Sequence, residues 1–167
     1  MSPAALFGMM RPMSQYEKHV FVCTHGPYCW YDGDVDAIFS TLKRLVSRNG
    51  LKDRIRVNRS GCLNQCGHGP MVVIYPEAVW YHLVQVDDVE EIFQAHLLNG
   101  QVVERLRYNS PPGNNKTTGH YPSPVHRMKQ MEQQLDQERQ AARDALRAEI
   151  ASDAAPTADP PTSPLDA

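Results

Sequence analysis

Residues 61–106, GCLNQCGHGPMVVIYPEAVWYHLVQVDDVEEIFQAHLLNGQVVERL, decide the fold. The stretch opens in a loop, residues 60–70, where Cys62 and Cys66 sit among Gly61, Gly67 and Gly69. Residues 71–75 are then a β-rich run that reads as a strand. Pro76, Glu77 and Ala78 turn the chain, and residues 79–83 return as the antiparallel partner. Asp87-x-x-Glu90 has the form of a capping box. It opens a helix with Val89, Ile92, Phe93, His96 and Leu97 on one face, which Asn99-Gly100 ends.

Upstream, residues 18–23, KHVFVC, form a short buried strand that runs into Cys23. Residues 24–33, rich in Gly, Pro and aromatics, read as a loop that carries Cys29. Asp34 caps a helix to about Ser47, with Val35, Ile38, Phe39, Leu42, Leu45 and Val46 on one face. Asn49-Gly50 stops it. Residues 54–58 alternate, Ile55 and Val57 facing one way, as a second strand does. Strand, helix and strand over so short a span imply a parallel pair with a right-handed crossover. The full order is β-α-β, cysteine loop, β-hairpin, α. A four-stranded mixed sheet covered by helices buries those faces. This is an α/β chain with the thioredoxin-like order of elements.

The chain has 167 residues and a net charge of −2, so no bulk basic surface speaks for nucleic acid. No apolar run is long enough to span a membrane. The α/β core domain occupies residues 16–108, preceded by a disordered extension over 1–15. That extension lacks a basic region ahead of its apolar run, so it is not read as a signal peptide. Met13 is an alternative start. Residues 109–124, rich in Pro, Gly, Asn, Thr and Ser, read as a linker. Residues 125–150 read as a polar tail helix whose apolar stripe, Met128, Met131, Leu135, Leu146 and Ile150, is too narrow for a core. Residues 151–167, rich in Pro, Ala and Asp, read as a disordered tail. Without an export signal the expected compartment is the cytoplasm, where thiols stay reduced.

The four cysteines are the only ones in the chain, and they fall in two pairs. Cys23-x5-Cys29 is followed after 32 residues by Cys62-x3-Cys66. In a reducing compartment such thiols point to metal binding or redox chemistry. Soft thiolates suit zinc or an iron–sulfur cluster. Structural zinc sites draw on tight C-x2–4-C knuckles, and the first pair here is wider. A two-iron cluster spreads its ligands over two metals and tolerates unequal spacings, so the spacing leans towards iron–sulfur while leaving zinc open. Gly26, Gly61, Gly67 and Gly69 let the backbone come close to sulfur. Phe21, Tyr28 and Trp30 are candidates to shield a cluster.

Residues 61–106, with the C-x3-C-G-x-G-P motif, the hairpin, D-V-x-E-I and H-L-x-x-G, resemble the second half of the thioredoxin-like [2Fe-2S] ferredoxins. HVFVCTHG, residues 19–26, resembles that family's opening strand and first ligand. The resemblance covers about residues 18–107. It implies that Cys23, Cys29, Cys62 and Cys66 bind one [2Fe-2S] cluster and that the domain forms a homodimer. Cys23 and Cys29 are closer together than that family's first pair usually is. His25 and His68 are therefore alternative ligands, as histidine is in Rieske centres. The function implied is an electron carrier, not an enzyme. It carries single electrons between redox partners, a reductase and an acceptor enzyme. Asp32, Asp34 and Asp36 are a candidate docking patch, and Arg54, Arg56 and Arg59 lead into the second cysteine loop. The alternatives are a zinc-binding interaction module or a dithiol oxidoreductase, the latter disfavoured because no C-x-x-C is present, with Pro70 its candidate cis-proline by location.

Overall fold

The computed structural model describes residues 15–153. The disordered stretches read over 1–15 and 151–167 lie outside the described residues except for residue 15 and residues 151–153.

Four strands form one mixed sheet in the order β2-β1-β3-β4. β1 is Lys18–Cys23, β2 Ile55–Ser60, β3 Val72–Tyr75 and β4 Val79–Tyr81. β1 pairs parallel to β2 and antiparallel to β3, and β3 pairs antiparallel to β4. The parallel pair and the hairpin are those the hydrophobic alternation predicts. β2 runs to Ser60 instead of stopping at Asn58, which delivers the chain straight to the second cysteine loop. The Gly69–Pro70 and Tyr75–Pro76 peptides are cis.

A short helix that periodicity misses is α1, Pro27–Asp32, where a loop is expected. Gly26, at φ 88°, adopts a conformation that glycine takes at no steric cost, and Pro27 at the first helical position has its φ preset. The Gly33 amide closes the helix on the Cys29 carbonyl. α2, Val35–Arg48, starts on Asp34, whose carboxylate accepts from the Ala37 amide at 2.9 Å. Its face Val35, Ile38, Leu42 and Val46 is buried.

The next helix, α3, is Asp88–Glu91, and it continues in wider π-helical turns over Ile92–Leu98. The expected capping box does not form, because Asp87 is already helical. Asp88 instead accepts from the Gln85 amide at 2.7 Å. Val89, Ile92, Phe93, His96 and Leu97 are nevertheless all buried, as the spacing predicts. Val89, Ile92, Phe93 and Leu97 join Val20, Val22, Val72, Ile74, Ile38 and Leu42 in the main hydrophobic core. Each such side chain contributes about 1.5–3 kcal/mol on full burial.

The described residues fall into two compact units, one running to Met128 and one starting at Lys129. The first does not end at Tyr108, and the segment expected to be a linker is packed within it. α4, Ser123–Asp153, begins before residue 125 and ends after residue 150. Residues 129–153, the described part of the second unit, are helical, with Met131, Leu135, Leu146 and Ile150 exposed. Ion pairs one turn apart, Arg139 with Asp136 at 3.6 Å and Arg147 with Asp144 at 3.7 Å, brace this solvated helix. No helix among the described residues is long and apolar enough to cross a membrane.

Candidate metal centre

Cys23 is the last residue of β1, a strand flanked by β2 and β3, and is 2 % exposed. Its amide donates to the Met71 carbonyl at 3.0 Å, which fixes the end of the strand. α1 then folds the chain back on itself, so that the Cys29 sulfur lies 3.7 Å from that of Cys23. The helix shortens the path between the two residues, so a close pair forms without a long loop.

The second loop brings its own pair together. Asn64, at φ 60°, turns the chain, and its amide donates to the Cys62 sulfur at 3.4 Å. The Cys62 and Cys66 sulfurs stand 3.7 Å apart. A disulfide would need about 2.05 Å. Two thiolates on one tetrahedral ion, at about 2.3 Å each, stand about 3.8 Å apart. Both pairs therefore have the separation of two thiolates on a shared metal. Among the described residues no three His, Cys, Asp or Glu side chains close around a single ion.

The two pairs also sense one another. The Leu63 amide, from the second loop, and the His25 amide both donate to the Cys23 sulfur, and Cys62 repels it. Hydrogen bonding from Cys29 outweighs burial and holds the Cys23 thiol down at about 7. Cys29 is pushed up, first by that same bond and then by burial. Cys66 is pushed up by its bond to Cys62 and by burial, with Lys116 opposing weakly. One thiol of the first pair thus carries the charge readily and its neighbour holds the proton. A metal binding there displaces that proton.

The backbone is fitted closely around these sulfurs. A Cβ on Gly69 would lie 2.5 Å from the Cys29 sulfur, and one on Gly67 would run into the backbone of Thr117. The donor set, four sulfurs of which Cys23 and Cys62 accept from backbone amides, fits an iron–sulfur group.

Other expected residues fall elsewhere. The His68 Nε2 donates to the Asn115 carbonyl at 2.9 Å. The Phe21 ring stacks on His19 and meets Tyr75 edge-on. Trp30 is 47 % exposed, its indole donating to the Thr24 carbonyl. Tyr28 alone of the three expected aromatics packs with Cys66. The acidic patch is engaged internally: Tyr121 donates to Asp32, Asp34 caps α2 and Asp36 pairs with Arg59. Arg54 pairs with Glu17.

Sequence reasoning missed Tyr121 and Val125, which are 4 % and 5 % exposed and pack with Cys66, Tyr28 and Cys62. Their signal was available: they are the only large apolar residues in the polar stretch 109–127. It also missed Leu63, Met71, Trp80 and Tyr108, which line the Cys23–Cys29 pair and Val35.

No family model matches the chain. Among curated proteins it is 42 % identical over 98 residues to a 2Fe-2S ferredoxin of Clostridium pasteurianum, covering 54 % of this chain and 95 % of the relative. It is 35 % identical over 105 residues to one from Aquifex aeolicus, covering 58 % of this chain and 95 % of the relative. Among solved structures, the thioredoxin-like [2Fe-2S] ferredoxin of Aquifex aeolicus superposes with a TM-score of 0.53 at 33 % identity, covering 58 % of this chain and all of that one.

Proposed function

Since the chain belongs to the thioredoxin-like [2Fe-2S] ferredoxins, an iron–sulfur electron carrier and not an enzyme, we propose that Cys23, Cys29, Cys62 and Cys66 hold its [2Fe-2S] cluster. The observation that carries the ligand assignment is the pair of 3.7 Å sulfur separations. Cys23 and Cys29 take one iron, and Cys62 and Cys66 the other. When bound, the cluster supplies or accepts one electron at a time. The protein's own part is to hold the thiolates, to aim the Leu63 and His25 amides at the Cys23 sulfur, and to keep Cys23, Cys29 and Cys66 from water. Hydrogen bonds to sulfur and burial are the two controls on potential that the fold applies.

In this reading the electrons pass between redox proteins, a reductase and an acceptor enzyme, and the domain is a homodimer. The reading places it in the cytoplasm, a compartment in which unpaired thiols stay reduced. The test is the visible absorption of anaerobically purified protein before and after dithionite, with iron and sulfide counted on the same sample. The expected result is a red-brown protein that bleaches and holds about two irons and two sulfides per chain. A colourless protein with about one zinc per chain would overturn the reading in favour of a structural zinc site.

A further inference from the structure

Residues 113–126 lie beyond the stretch that resembles the family, yet they are bonded to both cysteine loops. The Thr117 amide donates to the Cys66 carbonyl at 2.8 Å. The Gln65 side-chain amide donates to the Gly113 carbonyl at 2.8 Å, and the His68 Nε2 to the Asn115 carbonyl at 2.9 Å. Three consecutive anchors thus tie this segment to both sides of Cys66. Further along, the Tyr121 ring packs on Tyr28 at 4.8 Å between centroids, and its hydroxyl donates to Asp32. Tyr28 shares a hydrogen bond of 3.1 Å with His126. These contacts reach α1, the element that carries Cys29. Gly67 is cut away where Thr117 crosses it.

We infer that residues 113–126 are a built-in strap over the cluster site: they lock the second cysteine loop to α1 and cover Cys66. Cys62, only half-buried, is left as the approachable thiol. The relatives match little more than half of this chain. It restricts reagents and partners to the Cys62 side, and it slows the opening of the second loop through which iron would leave. The inference rests on the cluster reading for its consequence but not for its geometry.

The test uses full-length chains: wild type, Tyr121→Ala, Thr117→Pro with Tyr121→Ala, and Leu135→Ala as a control outside the strap. In the first readout the metal-free, fully reduced protein is alkylated with iodoacetamide, and each cysteine is followed by mass spectrometry. Cys66 of the wild type is expected to react more slowly than Cys62. Tyr121→Ala and the double variant are expected to speed Cys66 by about tenfold, the weight of one or two lost hydrogen bonds, with Leu135→Ala unchanged. In the second, iron release from reconstituted protein to a chelator is expected to quicken in the same variants. Equal Cys66 labelling in wild type and variants of native circular dichroism would overturn the strap. If the wild type binds no iron, the cluster reading fails while the labelling contrast still decides the strap.

Discussion

The sulfurs of Cys23 and Cys29 stand 3.7 Å apart although five residues separate them, because α1 returns the chain to the end of β1. The close spacing is therefore no obstacle to Cys29 acting as a ligand. Cys29→Ser is expected to lose the bound cluster or to hold well under two irons per chain after anaerobic reconstitution. Cys62→Ser and Cys66→Ser should do the same, since each removes half of a pair. Iron analysis and the visible spectrum of each variant check this, and full iron with an unaltered spectrum in Cys29→Ser would remove it from the ligand set.

The proposed set of four thiolates leaves the histidines to other roles. His68 donates to the strap at Asn115, and His25 contributes its backbone amide to Cys23. His25→Ala and His68→Ala are expected to keep about two irons and the absorption of an all-thiolate cluster. A spectral shift with loss of iron in His25→Ala would assign a ligand role to its imidazole.

Two glycines of the second cysteine loop should respond differently. A Cβ at Gly69 meets the Cys29 sulfur at 2.5 Å, whereas one at Gly61 meets nothing within 4 Å. Gly69→Ala is expected to destabilise the metal-free protein by about 1–3 kcal/mol, the usual cost of overpacking, and to lower iron content by displacing Cys29. Gly61→Ala, although adjacent to Cys62, should stay within about 0.5 kcal/mol of wild type. Urea unfolding of the reduced apoproteins gives both values. Equal stabilities would show that the backbone at Gly69 shifts without cost.

What was legible in the sequence was whatever repeats. The face Val35, Ile38, Leu42 and Val46, the alternation of Ile55 and Val57, and the hairpin around Pro76 each recur at the period of their element. α1 escaped because six residues hold less than two turns, and Gly, Pro and aromatics there imitate a loop. The strap escaped for a different reason. Its hold on Cys66 is a backbone amide, which any residue but proline supplies, so composition alone marks the segment as a linker. The acids at 32, 34 and 36 are only a candidate docking patch in the sequence, which shows charge but not partners, and each has a partner within the chain.

His96 shows how a helical period can be right while chemistry adds to it. It lies on the apolar face, fully buried, with Nδ1 2.7 Å from the Tyr81 hydroxyl, which also accepts from the Val103 amide. Its Nε2 has no hydrogen-bond partner, and the Glu77 carboxylate lies 3.9 Å away. Burial lowers the pKa of the imidazole, Lys18 adds to that, and Glu77 opposes both. The ring is therefore held neutral in the fold, while the unfolded chain takes up a proton near pH 6.5. The unfolded state binds more protons below that pH, so stability falls as pH drops through about 6.5 and levels off once the folded ring protonates. His19 and His82, also lowered by burial, act in the same direction. His96→Phe keeps an apolar body on the helix face and removes the titration. It is expected to reduce the loss of stability between pH 8 and pH 5 in urea unfolding of the reduced apoprotein. A variant that loses as much stability on acidification as wild type would mean that His96 is protonated within the fold, with Glu77 as its counter-ion.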